Sequence, residues 1–195
     1  MYRKVLKPVA DFLIALTALL LLSPLFLVVT IAIRLDSKGS AFFLQERLGL
    51  HGQVFKVYKF RSMSQGVNKM SDGKLYENDP RITRIGVFIR KTSIDELPQL
   101  INILRGEMSF IGPRPPVTYF PKKISEYTDF EKKRFDVKPG ISGLAQIRCR
   151  EIHDWNINIP IDVEYVENIS LKNDFSLFVK SLLVFFKTDN VYRKI

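Results

Sequence analysis

Hydrophobic positions divide the chain into one long apolar block and a longer stretch where short apolar runs alternate with polar ones. Phe12 to Ile33 is an uncharged run of 22 residues, long enough as a helix to cross the ~30 Å hydrocarbon of a bilayer. Ser23-Pro24 stands in its middle. Proline removes a backbone donor and crowds the preceding turn, while Ser23 can bond a freed carbonyl, so a break between two half-helices is expected there. Arg3, Lys4 and Lys7 precede the run, and Arg34 and Lys38 follow it. Basic residues on both flanks favour the same side of a membrane. A re-entrant helix-break-helix over residues 1–36 satisfies both observations, with a kinked single span as the alternative. The run is too long for a signal peptide, and no small-residue cleavage site follows it.

After residue 36 the period changes. Ala41–Gln45 and Val54–Arg61 read as strands around a Gly49–Gly52 turn, with Lys59 and Arg61 on one face of the second strand. Ser62 to Pro80 is polar and reads as a mobile loop. A short helix from about Thr83 turns Ile85, Phe88 and Ile89 inward and its arginines outward. Ser93 and Glu96 then form a Ser-x-x-Glu capping box for a helix burying Leu97, Leu100, Ile101 and Leu104. Tyr127–Lys138 reads as an amphipathic helix whose Lys132, Lys133, Arg134 and Lys138 form a solvated or lipid-facing end. Pro139–Gly143 reads as a turn leading into a short strand through Ile147. Phe175, Phe178, Val179, Leu182, Phe185 and Phe186 recur at helical spacing. That apolar face suits either a membrane interface or docking on the core. These elements predict an α/β (α+β) fold with much helix and a small β element. Residues 37–195 form one domain, ending in the amphipathic helix.

Charge narrows the partners. The net charge of +10 points to an anionic one: nucleic acid, a lipid surface or phosphorylated substrates. Cys149 is the single cysteine, which excludes an internal disulfide, and two histidines offer no zinc spacing. The candidate chemistry lies in Asp95-Glu96, whose place in a helix first turn would keep Asp95 ionised for nucleophilic attack or metal binding. Two acids at a helix start also serve as plain caps. Gly112-Pro113-Arg114-Pro115-Pro116 makes a stiff backbone that holds one guanidinium, which suits bidentate phosphate binding. Arginine in such a loop otherwise simply faces solvent.

These residues together resemble the bacterial sugar transferases, in the short single-domain form of the monotopic phosphoglycosyl transferases. The resemblance runs in order over nearly the whole chain: Ser23-Pro24, Gln45–Gly49, Tyr58–Met63, Thr92–Leu100, Gly106–Ser109, Gly112–Pro115 and Pro139–Gln146. It implies transfer of a phospho-sugar from a UDP-sugar to polyprenyl (undecaprenyl) phosphate with release of UMP, the first membrane step of glycoconjugate assembly. By the same resemblance Asp95 is the nucleophile of a covalent phosphosugar intermediate, and Glu96 helps hold Mg²⁺, with Mn²⁺ as an alternative. Lys59, Arg61 and Arg114 bind substrate phosphate or nucleotide. A re-entrant helix and a cytoplasmic domain at the bacterial inner membrane follow, with an anionic lipid surface and no nucleic acid as partner. Downstream glycosyltransferases and a second copy of the chain are further partner expectations. The pattern departs at Ile147-Arg148-Cys149-Arg150, where the family commonly has a glycine-containing turn, so no role is carried to either arginine. Two rival readings use the same residues: a metal-dependent hydrolase of membrane pyrophosphates, and a basic membrane-binding adaptor without chemistry.

Overall fold

The computed structural model describes residues 1–64, 79–149 and 154–186, without the side chains of the last three. Most of the expected polar loop and Arg150 fall outside the described residues.

The apolar block forms one helix, α1 (Lys7–Asp36), preceded by a π-turn over Tyr2–Leu6. It runs through Pro24 as a single element and does not divide at Ser23-Pro24. The carbonyl that loses its helical donor to Pro24 is that of Leu20. The Ser23 hydroxyl donates to it at 2.8 Å, so the local hydrogen-bond deficit is repaired within the helix. By length and composition Tyr2–Asp36 could cross a membrane, and only 11% of its most apolar window is buried, unlike the core helix of a soluble protein.

The buried edge of α1 is the spine of the molecule. Ala15 packs with Val57, Leu100, Ile103 and Met108, and about four turns further on Val29 and Ile33 pack with Phe60 and Ile89. Polar contacts fasten both helix ends. Near the start, Asp174 Oδ2 accepts from Tyr2 Oη at 2.7 Å and from Lys7 Nζ at 2.8 Å, and Asp11 Oδ2 accepts from Ser109 Oγ at 2.7 Å. At the other end Asp36 Oδ2 accepts from Ile85 N at 2.9 Å. Arg61 donates to the carbonyls of Ser37 and Lys38.

The hairpin appears as expected: β1 (Phe42–Leu48) pairs antiparallel with β2 (Val54–Phe60), with Gln45 opposite Val57 and Phe43 opposite Lys59. Helix α2 (Arg84–Lys91) is capped by Thr83 Oγ1, which accepts from Gly86 N. It buries Ile89 but leaves Phe88 58% exposed, against the expectation that both face inward. The next turn differs more. Ser93 takes a left-handed conformation, φ 53°, and makes no side-chain cap. Ile94–Glu96 is a single 3₁₀ turn, and α3 (Gln99–Leu104) begins only after Pro98. The predicted capping box is absent because Glu96 turns its carboxylate to a lysine and not to the Ser93 amide.

Strand β3 (Ser109–Ile111) pairs parallel with β4 (Gly140–Ser142), making a second two-stranded sheet. A Cβ on Gly140 or Gly143 would fall on backbone atoms of Gly112, so these positions admit the close approach only as glycine. Leu144–Arg148, expected to continue as strand, is the helix α5. The expected helix over Tyr127–Lys138 is one short helix, α4 (Asp129–Lys132), followed by a 3₁₀ turn. There Arg134 is 1% exposed instead of solvated. Helix α6 (Trp155–Glu167) and helix α7 (Leu171–Phe186) complete the described residues. The two readings of α7 each hold for one side: Leu177 and Phe178 dock on the core, while Phe175, Val179, Leu182 and Leu183 remain exposed.

Candidate active site

The site forms where β2, the 3₁₀ turn before α3 and the proline-rich segment after β3 converge. Asn102 registers the first two. Fully buried on α3, it accepts from Tyr58 N at 3.0 Å and donates to Lys56 O at 2.7 Å, filling the ladder positions that β2 turns away from β1. That bond pair sets Lys59 opposite the acidic turn. Lys59 Nζ lies 2.6 Å from Glu96 Oε1, and Arg114 Nη2 approaches the same oxygen at 4.0 Å. Arg47, Lys59, Glu96, Gln99, Arg114 and Pro115 are among the residues lining an open cleft of about 260 Å³.

The two adjacent carboxylates are driven apart in acidity. Burial raises Asp95 to about 6, the negative charge of Glu96 adds to this, and Lys59 and Arg90 only partly offset both. Burial would raise Glu96 too, but Lys59 and Arg114 reverse the sign and bring it down to about 2. One carboxylate is thus a permanent anion between cations. The other is a more basic group, ionised at neutral pH, which suits a nucleophile better than an inert cap. The helix-dipole argument for Asp95 does not hold, since a three-residue turn has no developed dipole.

Of the residues expected at the site, Glu96, Lys59 and Arg114 meet in the cleft, and Asp95, next in the chain to Glu96, feels the charges of Glu96 and Lys59. Arg61 does not join them. It is 4% exposed, and its guanidinium donates to Ser37 O at 2.6 Å and Lys38 O at 2.8 Å. Its cation thus sits at the negative end of α1, on the carbonyls that directly follow the helix and 3.5 Å from Ile33 O in its last turn. Ser23 and Pro24 lie within α1. Arg148 pairs on the surface with Glu164 at 2.6 Å. Arg47 had no role assigned from sequence, although it stands in a recognised stretch. Gln45 Oε1 holds it at 2.7 Å, and burial beside Arg114 lowers its guanidinium to about 10.

Among the described residues no group of three or more His, Cys, Asp or Glu could enclose a metal ion. A hard cation that completes its shell with substrate phosphates and water takes only one or two carboxylates, and Glu96 is the carboxylate of the pair that lines the cleft.

The family model described as bacterial sugar transferase matches residues 2–188. The chain belongs to the bacterial sugar transferase family. It is 41% identical over 175 residues to an Aeromonas hydrophila UDP-N-acetylgalactosamine-undecaprenyl-phosphate N-acetylgalactosaminephosphotransferase, covering 88% of this chain and 41% of that protein. It is 36% identical over 195 residues to a Caulobacter vibrioides UDP-glucose:undecaprenyl-phosphate glucose-1-phosphate transferase, covering 95% and 72%. A Bacillus subtilis sugar transferase, EpsL, is 40% identical over 184 residues, covering 92% and 88%. The chain thus spans about two-fifths of the length of the longer curated relatives it matches. Every site residue named above lies inside the matched region of this bacterial sugar transferase.

Proposed function

We propose that this protein transfers a sugar 1-phosphate from a UDP-sugar to a polyprenyl phosphate, releasing UMP, in two steps through Asp95. The observation that carries the reading is the cleft where Lys59 Nζ and Arg114 Nη2 lie 2.6 and 4.0 Å from Glu96 Oε1, next in the chain to Asp95, with the acidity of the two carboxylates driven in opposite directions. In the first step an Asp95 oxygen attacks the phosphorus that bears the sugar. The P–O bond to the uridine-side phosphate breaks, and UMP leaves with the electron pair. In the second, a phosphate oxygen of the lipid attacks the same phosphorus and the Asp95–phosphorus bond breaks, restoring the carboxylate. Arg114 and Lys59 offset charge on the phosphate oxygens, and Glu96 orients Lys59 through the contact at 2.6 Å while its charge lies 4.0 Å from Arg114. A divalent cation, Mg²⁺ or Mn²⁺, would be held by Glu96 with help from Asp95, and when bound it supplies further neutralisation of the pyrophosphate. The names of the Aeromonas and Caulobacter relatives, each acting on undecaprenyl phosphate, support the same class of donor and acceptor.

The reading places α1 at the cytoplasmic leaflet of the bacterial inner membrane with both of its ends on the same face. Its support is that both helix ends are bonded to one body, through Asp174 at the start and through Arg61 and Ile85 at the end.

The test is a panel of UDP-sugars with undecaprenyl phosphate, scored by UMP release, together with intact mass after incubation with the productive UDP-sugar alone. Wild type should release UMP with lipid and carry a phosphosugar adduct without it. Asp95→Asn should lose both while still folding. Steady phosphate release without lipid acceptor would favour hydrolysis, and an absent adduct with a productive donor would favour direct transfer.

A further inference from the structure

The loop that carries Arg114 is short of donors. Pro113, Pro115 and Pro116 have no N–H, so this segment can be held almost only through its carbonyls. All four accept a hydrogen bond: Pro113 O from Gly140 N at 3.0 Å, Arg114 O from Arg134 Nη2 at 2.9 Å, Pro115 O from Arg47 Nη1 at 2.8 Å, and Pro116 O from Leu48 N at 2.9 Å. Two donors are backbone amides and two are arginines. Arg47 lines the cleft itself. Arg134 lies behind the loop, 1% exposed, with Nη2 also 2.6 Å from Asp162 Oδ2 and its guanidinium beside the rings of Phe135 and Trp155 at 5.3 and 5.2 Å.

We propose that Arg134, oriented by Asp162 on α6, is a positioning residue for Arg114: it sets the carbonyl, and thereby the side-chain direction, of the guanidinium that meets the donor pyrophosphate. A buried ion pair is weak support for stability as such, because apolar residues of similar volume often replace one without loss. Its specific effect here is geometric. The Arg114 guanidinium is nearly half exposed and approaches Glu96 only at 4.0 Å, so side-chain contacts hold it loosely and its backbone must supply the aim. The proline rings fix φ on either side, and Arg134 fixes the peptide between them.

The inference rests on the transferase reading only in naming what Arg114 meets. The experiment compares R134M/D162L, which removes the donor without leaving a lone buried charge, in wild-type and R114A backgrounds. In the wild-type background kcat/KM for the UDP-sugar should fall about tenfold or more, as small misplacements of a catalytic group do. In the R114A background the same change should cost less than about twofold, since the group being aimed is already gone. R134K keeps the charge but serves both acceptors less well; it should lose about threefold in wild type and nothing in R114A, by the same coupling. That pair decides the question should R134M/D162L fail to fold. Equal losses in both backgrounds, or none in either, would overturn the proposal. Hydrogen exchange at the Leu48 and Gly140 amides, which donate to Pro116 O and Pro113 O, should quicken in both variants independently of turnover, and unchanged exchange there would overturn the proposal even if wild type released no UMP, an outcome that sinks the transferase reading separately.

Discussion

At the scale of single residues, the site works by setting neighbouring carboxylates to opposite ends of their range. Asp95 must be ionised to attack, so kcat/KM should fall about tenfold per pH unit below the value near 6 and level off above it. Lys59 opposes the raising of Asp95 and lowers Glu96. Removing its charge in Lys59→Met should therefore move the acid limb to higher pH and reduce the plateau. A pH–rate profile from 4.5 to 9 checks both statements, and an acid limb that stays in place in Lys59→Met would remove Lys59 from the electrostatics of the pair. The acidic pair itself was legible in the sequence because its two members are adjacent. Its polarity was not, since Lys59 lies 37 positions away from Glu96 and no local pattern marks them as partners.

At the scale of elements, α1 is fastened to the domain at its polar ends. Asp174 on α7 accepts from Tyr2, Lys7 and Tyr165, with the Lys7 and Asp174 side chains only 12% and 8% exposed. Asp174→Ala leaves Lys7 buried without its counter-ion, so unfolding should become easier by on the order of 3 kcal/mol. The double variant Lys7→Met/Asp174→Leu should recover most of that loss, because no charge is stranded. Thermal unfolding in a single detergent compares the three proteins; an Asp174→Ala midpoint equal to wild type would show that the clamp contributes nothing. Apolar length and hairpin alternation revealed α1, β1 and β2. The turn at Ser93 misled because Ser-x-x-Glu describes a helix start only when the serine adopts extended geometry, and here it is left-handed, with its N–H donating back to Arg90 O at the end of α2.

At the scale of the whole molecule, the long apolar helix and the basic domain form one body with both ends of α1 on it. A helix whose two ends are bonded to one polar body cannot place one of them across ~30 Å of hydrocarbon. Single cysteines at Arg3 and Lys38 should therefore both be labelled from one and the same side, the cytoplasmic one in the proposed placement, and labelling of the two positions from opposite sides would show a full span. The sequence by itself determined the periodic and the contiguous: the apolar run, the hairpin, the Asp95-Glu96 pair and the rigid loop around Arg114. These depend on neighbours a few positions apart, where backbone geometry leaves few choices. The tertiary structure decided where the long cationic side chains go. Lys59 and Arg114 meet at Glu96, Arg61 closes the end of α1, and Arg134 passes beneath the proline loop to Asp162. Periodicity assigns a residue to a face, but an arginine or lysine reaches several ångströms from its backbone. Its partner is whichever acceptor the packing of distant segments leaves unsatisfied within that reach.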